Sequence, residues 1–359
     1  MTRPTPEKHP CPVSIITTGA CTSVGYKAPT TAASVRSGIN RIACHPFMVD
    51  MQGEAFITAR AQYLPDLLNG LERLWQLGLW AAEETLSVIR RRRYDTFKIP
   101  VVIGLANPRP GYSETMGEQI RQRFENLNHP FYELKPVQTI CAGHSAGLMA
   151  LETGCDIIRQ GVSPVCLAGG MDSWIDVDAL DWLDSHQTIY SHTNPWGFVP
   201  SEGAGFCLLA EDYICRDVDT PAAARILSGV TTLKKNLLHT DTVCTGEALT
   251  RAISLATSKS DPIDQLICDL NGQRHRADEF GFAMAQTSNR FKSPGDFLSP
   301  ATLWGDAGAA SGPLFISLAV HTALQGNAKG PLNLILASSD TGQRSAMLIE
   351  TLQQPGEKA

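Results

Sequence analysis

The chain has 359 residues, 43% of them hydrophobic and only 18% charged, with a net charge of -6. That is enough apolar material for one large domain or two packed halves, and it argues against a disordered chain. The acidic balance argues against nucleic acid as a partner, because phosphate binding needs a positive field, and no apolar run reaches the roughly 20 residues of a membrane span.

Met1–Pro12 is polar and Pro-rich, lacks the apolar core of a signal peptide, and is read as a tail of a cytoplasmic protein. Val13-Ser14-Ile15-Ile16-Thr17 then reads as a strand, and Leu67 to Arg93 as a long helical stretch. The run Arg90–Arg93 suits a solvated helix end, where cations complement the dipole, better than an anion site. Ile99–Leu105 is a strand dense in Val and Ile, and Met116–Asn126 and Ala146–Arg159 are helical. Strands follow at Val165–Ala168, Phe206–Leu209, Leu266–Leu270 and Leu332–Leu336, with a helix at Leu314–Leu324. Strands alternating with helices predict an α/β protein with largely buried sheets. The ten cysteines include no C-x-x-C pair, so zinc and thioredoxin chemistry lack their signature, and no disulfide framework is expected.

One correspondence within the chain is more specific. Gly143-His144-Ser145-Ala146-Gly147 opens a helical run that ends at Gln160-Gly161, and Gly308-Ala309-Ala310-Ser311-Gly312 opens another that ends at Gln325-Gly326. The interval from first to last glycine is the same in both, and each run is followed by a proline and a hydrophobic strand. This pattern predicts a duplicated unit of tight glycine turn, small-residue helix and strand, hence two similar α/β halves.

Blocks spanning Pro12 to Leu352 resemble a β-ketoacyl synthase of the thiolase superfamily. Val13–Gly25 with Ala33–Ile39 is similar to that family's opening strand, turn and helix, and Cys141–Gly170 to its nucleophile helix and following strand. Gly197-Phe198-Val199-Pro200-Ser201-Glu202-Gly203-Ala204-Gly205 resembles the family's G-F-V-x-x-E/D-G-A-G block. Asp269-Leu270-Asn271-Gly272 and Gly305-Asp306-Ala307-Gly308 stand where the family has its two catalytic histidine loops, and Ser338–Ile349 resembles its terminal loop and strand. The resemblance implies a five-layered αβαβα fold from two pseudo-symmetric halves, 13–215 and 222–352, with 353–359 as a second tail. It implies a homodimer or a heterodimer with a related ketosynthase-like chain, an acyl carrier protein or acyl-CoA as partner, and no cofactor or metal. A client protein, in an adaptor role, is a further candidate partner.

The active-site positions depart from that pattern. A decarboxylating ketosynthase needs a Cys thiolate to attack an acyl thioester and two polar donors to stabilise developing negative charge. Family spacing places the nucleophile on His144, with Cys141 three residues early, and the two histidines on Asn271 and Asp306. An Asp at a donor position repels an enolate or oxyanion. Gln343 and Arg344 are expected to narrow the acyl entrance. The expected function is therefore a non-condensing partner subunit or adaptor. Two alternatives stand beside it. One is an acyltransferase or thioesterase-type enzyme using Ser145, His144 or Cys141, and the other is a true synthase with Cys141 as nucleophile.

Gly143–Gly147 is also a literal G-x-S-x-G, the nucleophile elbow of α/β-hydrolases, which makes Ser145 a candidate nucleophile with Asp306 and His321 as partners. A helix N-cap, a very common use of Ser, is the favoured reading of Ser145 over a nucleophile. Glu202 is expected to satisfy buried backbone groups, most tryptophans to pack in the core, and the cluster Gln273-Arg274-His275-Arg276 to be a solvated loop.

Overall fold

The computed structural model describes residues 12–90, 97–235 and 244–352. The N-terminal tail to residue 11, Arg91–Arg93 of the basic run and the C-terminal tail 353–359 lie outside the described residues.

In chain order the first half contains β1 (Val13–Thr22), α1 (Ala28–Arg36), the hairpin β2 (Ala43–Val49) and β3 (Ala55–Thr58), α2 (Gly70–Leu86), β4 (Phe97–Leu105), α3 (Glu114–Glu125), β5 (Tyr132–Cys141), α4 (Ala146–Arg159), β6 (Val165–Ser173), α5 (Val177–Ser185), β7 (Glu202–Ala210) and α6 (Asp212–Asp217). The second contains β8 (Ala224–Leu233), α7 (Glu247–Ala256), β9 (Gln265–Ile267), α8 (Arg274–Thr287), β10 (Phe297–Leu298), α9 (Ala301–Trp304), α10 (Ser311–Leu324), β11 (Leu332–Ser338) and β12 (Gln343–Thr351).

Ten strands form one sheet in the order β10-β9-β11-β12-β8-β1-β7-β6-β4-β5. Read outward from the central antiparallel β8–β1 contact, the two sides match strand for strand. On each side two antiparallel pairings come first, β1–β7–β6 against β8–β12–β11, and two parallel ones follow, β6–β4–β5 against β11–β9–β10. The order is a palindrome about the middle, which is the duplication expected from the glycine spacing.

The repeat is also exact in its local geometry. Gly143–Ser145 and Gly308–Ala310 are single 3-10 turns, each opening a helix of 14 residues. Gly143 and Gly308 have φ of 65° and 53°, and Gly161 and Gly326, just past the helix ends, 69° and 70°. Side-chain-bearing residues rarely adopt that region, so these glycines fix where each unit starts and stops. Gly147 and Gly312 have a different reason: a Cβ on Gly147 would lie 2.5 Å from the Ala309 carbonyl oxygen, and one on Gly312 2.5 Å from Leu148. The two helices therefore cross at their N-terminal turns.

α4 and α10 form the middle of five layers, sandwiched between the two halves of the sheet. α10 is buried on nearly every face, from Ser311 through Val320, as a helix apolar all round must be. The central core joins Leu148, Leu151 and Cys155 of α4 to Leu314, Phe315 and Leu318 of α10. Outside the first half, α2 lays Leu74, Leu77, Ala81 and Leu86 on the sheet. Outside the second, α7 presents Leu249, Ala252, Ile253 and Ala256, spaced at i, i+3, i+4 and i+7.

Several boundaries differ from the sequence reading. The long helix is shorter, 70–86 against an expected 67–93, and Arg90 lies beyond it, its Nε donating to the Ser87 carbonyl. The strand at 266–270 is only Gln265–Ile267. The cluster read as a solvated loop is instead the first turn of α8, beginning at Arg274, with Arg276 only 5% exposed. Trp196 is exposed, whereas Trp304 and Trp174 are buried. The described cysteines are free. No helix among the described residues is long and apolar enough to cross a membrane.

Candidate functional site

The glycine turn at the end of β5 carries His144 into the middle layer, where its side chain is 7% exposed. Asp306 reaches it from the turn between α9 and α10. The backbone of Asp306 is pinned beside the 197–205 block: its N–H donates to the Val199 carbonyl, and its own carbonyl accepts from the Ser201 N–H. That block also supplies Glu202, whose carboxylate accepts from the Ala61 N–H and receives Arg73 through two nitrogens, each at 2.7 Å. Glu202 is thus a buried strut that ties α2 to β7, satisfying backbone and guanidinium groups together.

His144 Nε2 lies 2.9 Å from both carboxylate oxygens of Asp306. Asn271, in the loop between β9 and α8, donates its amide to Asp306 Oδ2 at 2.6 Å. The Gly308 N–H donates to Oδ1 at 2.8 Å. The structure therefore brings His144, Asn271 and Asp306 together within hydrogen-bond distance, across the boundary of the two halves.

A fourth member, Arg276, comes from α8. Its Nη1 donates to Asp269 at 3.0 Å and to the Ser338 carbonyl at 2.6 Å. Its Nη2 donates to Asp340 at 3.0 Å and faces His144 Nδ1 at 3.4 Å. Sequence reasoning missed this residue. The available signal was its position five residues after Asn271, at the opening of a helix, where a side chain can turn inward toward the same site.

The electrostatics follow from burial and from these partners. Burial works against a charged imidazole, but the charge and hydrogen bond of Asp306 outweigh it, and the His144 pKa is raised. Burial likewise opposes the Asp306 carboxylate, yet His144, Arg276 and Asn271 hold it well below the usual carboxylate range. Burial raises Asp269, against the lowering effect of Arg276. Nε2 carries a proton toward Asp306 in the charged imidazole and in the neutral tautomer that accepts from Arg276 at Nδ1. Both ring nitrogens therefore face protein groups.

Ser145 is fully buried, and its hydroxyl donates to the Ala337 carbonyl at 2.9 Å, with the Gln343 carbonyl at 3.1 Å. Its N–H donates to Ser339 Oγ. Its backbone is helical, φ -73° and ψ -16°, and its side chain makes no cap hydrogen bond, so it ties the α4 turn to β11 and β12 rather than capping the helix. His321 sits ten residues along α10 from Ser311, roughly 15 Å along the axis at 1.5 Å per residue, and burial lowers its pKa.

Cys141 is the last residue of β5, outside the α4 turn, and is exposed. Its sulfur turns toward α3, 3.6 Å from where a Cβ on Gly117 would stand, and this partial burial of the thiol raises its pKa although the residue as a whole is exposed. A raised pKa is opposite to what an activated nucleophile requires. Arg344 does not line an entrance: it is 5% exposed and runs inward to Glu279 through two 2.8 Å contacts.

The second turn of the repeat has no imidazole. Ala309 stands where His144 stands, and its N–H donates to Asp172 at 3.0 Å, a carboxylate that Arg109 also grips at 2.6 Å. Among the described residues no group of three or more His, Cys, Asp or Glu side chains is arranged to hold a metal ion.

Residues 135–213 match the family model of the β-ketoacyl synthase N-terminal domain. No curated protein matches the sequence. Solved structures match over nearly the whole chain. One belongs to a complex described as a type II polyketide synthase acyl-carrier protein with its ketosynthase bound to the hexaketide, at 16% identity, TM-score 0.76, and 96% and 100% coverage of this chain and that one. A second is the ishigamide ketosynthase/chain length factor, at 19%, 0.69, 95% and 100%. A third is the ketosynthase from module 6 of the bacillaene synthase of Bacillus subtilis 168, at 12%, 0.74, 96% and 72%. The palindromic sheet, the paired central helices and these matches agree: the chain has the thiolase-like fold of the ketosynthases, with a β-ketoacyl synthase match carried by residues 135–213.

Proposed function

We propose that this chain is a ketosynthase-like subunit that does not perform standard condensation and instead acts as the partner of a related ketosynthase-like chain, with an acyl carrier protein as the substrate-bearing visitor. The observation that carries this reading is the closed network at the nucleophile position. A condensing site needs a thiolate there and donors aimed at a developing oxyanion. With family spacing putting His144 at the nucleophile position and Asp306 at a donor position, the first is an imidazole flanked by Asp306 and Arg276 and the second a carboxylate, and this supports the reading.

The partner role is supported by the likeness to a ketosynthase/chain length factor and by the end of the sheet. β5 closes one side with ten residues that pair only with β4 among the described residues. An open strand edge is a template for a second chain. The two halves are drawn as residues 13–215 and 222–352.

The test is intact mass after incubation with a panel of acyl-CoA and acyl-carrier thioesters, on the native protein and on Cys141→Ala, His144→Ala and Ser145→Ala. No adduct and no thioester loss, with the protein folded and dimeric, is the expected result. A covalent acyl adduct lost in one variant alone would name a nucleophile and overturn the reading.

A further inference from the structure

We propose that Cys244 and Lys234 form a peroxide-driven sulfur–nitrogen crosslink, a modification site separate from the His144 network. Lys234 directly follows β8 and Cys244 leads into α7, and the Lys234 Nζ donates to the Cys244 sulfur at 3.3 Å. The same ammonium donates to Glu279 at 3.0 Å, and the Lys234 side chain is 12% exposed. The pair opens on a surface cleft of about 130 Å³, lined also by Lys235, Gly246 and Arg251. A water's share of liquid volume is about 30 Å³, so a molecule the size of hydrogen peroxide fits against the sulfur.

Three features set this cysteine apart. Cys21, Cys155, Cys166, Cys207 and Cys268 are buried, so an oxidant in water does not reach them. Among the described residues, the exposed Cys44 and Cys141 and the half-buried Cys215 have no lysine amine in hydrogen-bond contact with the sulfur. Cys244 combines access, an amine in contact and a carboxylate in contact with that amine.

The chemistry balances with peroxide as the sole oxidant. The Cys244 thiol and hydrogen peroxide give a sulfenic acid and one water: sulfur is oxidised by two electrons and the O–O bond breaks. The Lys234 ammonium gives one proton to solvent, while Glu279 holds the nitrogen beside the sulfur. The freed amine lone pair attacks the sulfenic sulfur, the S–N bond forms and the S–O bond breaks. The departing hydroxide takes the second nitrogen proton and leaves as water. The product is a sulfenamide, the nitrogen counterpart of a disulfide, and a thiol reductant reverses it. The crosslink removes one of the two cations that Glu279 holds and leaves it with Arg344.

The experiment titrates the full-length protein with hydrogen peroxide and maps the peptides without reduction. The expected product is a species about 2 Da lighter in which the Lys234 and Cys244 peptides are joined, reversed by dithiothreitol and absent from Cys244→Ser and Lys234→Arg. Arginine keeps the positive charge toward Glu279 but is a poor nucleophile, so Cys244 in that variant proceeds to the sulfinic acid, about 32 Da heavier. The proposal is overturned if native Cys244 goes to sulfinic acid without the joined peptide, if it resists oxidation, or if the lighter product survives in Lys234→Arg. The native peptide map decides by itself should Lys234→Arg fail to fold.

Discussion

Replacing Asp306 by asparagine keeps the shape of the side chain and removes its charge, which makes it the sharpest test of the buried network. The aspartate is 3% exposed and accepts from three donors: His144 Nε2, the Asn271 amide and the Gly308 N–H. An asparagine must turn its own amide nitrogen toward either Asn271 or Gly308, so one donor faces another. Arg276 and His144 are left with less anionic compensation in a site that excludes water. Removing one partner of a buried pair costs about 3–5 kcal/mol, against about 1 kcal/mol or less for an exposed pair. Domains are stable by roughly 5–15 kcal/mol, so the loss is a large share of the total. Urea unfolding at pH 6, followed by circular dichroism, measures it for Asp306→Asn, His144→Gln and the double variant. We expect the double variant to lose less than the sum of the singles, with a coupling of roughly 1–3 kcal/mol. A change within about 0.5 kcal/mol for Asp306→Asn, or strict additivity, would refute the buried-pair argument.

The other expectations follow from neighbouring geometry. For pH, His144 has a raised pKa and Asp306 a lowered one. The histidine's contribution is complete below its unfolded pKa of about 6.5 and is lost as pH rises through the raised folded value; the aspartate's is complete above about 4 and is lost as pH falls through the depressed one. Stability from the pair therefore peaks between about pH 4 and 6.5, and the fall above that window flattens in His144→Gln. Ser145→Ala removes one buried hydrogen bond to the Ala337 carbonyl and should cost about 1–3 kcal/mol in unfolding free energy with no change in thioester turnover. Gly147→Ala puts a Cβ 2.5 Å from the Ala309 carbonyl oxygen and from Pro313, so the helix crossing must shift; a loss of about 1–3 kcal/mol or more is expected by the same unfolding assay. His144→Cys restores a thiol but leaves Asp306 beside it, so carbon–carbon bond formation from an acyl and a malonyl thioester should remain absent by product mass.

Much of this was legible because it is enforced locally. The paired glycines Gly143 and Gly308 are dictated by a positive φ that repeats with the unit, so spacing alone exposed the duplication. The strands that stood out, β4, β6 and β7, are buried on both faces and therefore read as unbroken apolar runs. Strands with mixed surroundings stayed hidden. β8 is mostly half-buried, with Ser228, Thr231 and Thr232 among its residues, and β5 is interrupted by Lys135-Pro136. Asn271 and Asp306 were placed by their blocks, but Arg276 was not. An arginine among polar neighbours reads as solvated, and only the folded chain shows that Asp269, Ser338 and Asp340, from two other loops, converge on it. Ser145 failed as an expected cap for a similar reason: its acceptors lie some 190 residues further along the chain.

The palindromic sheet has a consequence for how the chain can be cut. Each half owns a complete run of five strands, but only one of the two helices that fill the space between the runs, and neither α4 nor α10 can bury its full circumference without the other. Severed between α6 and β8, the two pieces would each present a sticky inner face shaped for its sibling and for nothing simpler. The protein is thus a natural candidate for fragment complementation, in which two separately expressed pieces regain a folded state only on meeting, with the His144–Asp306 contact among the links that join them.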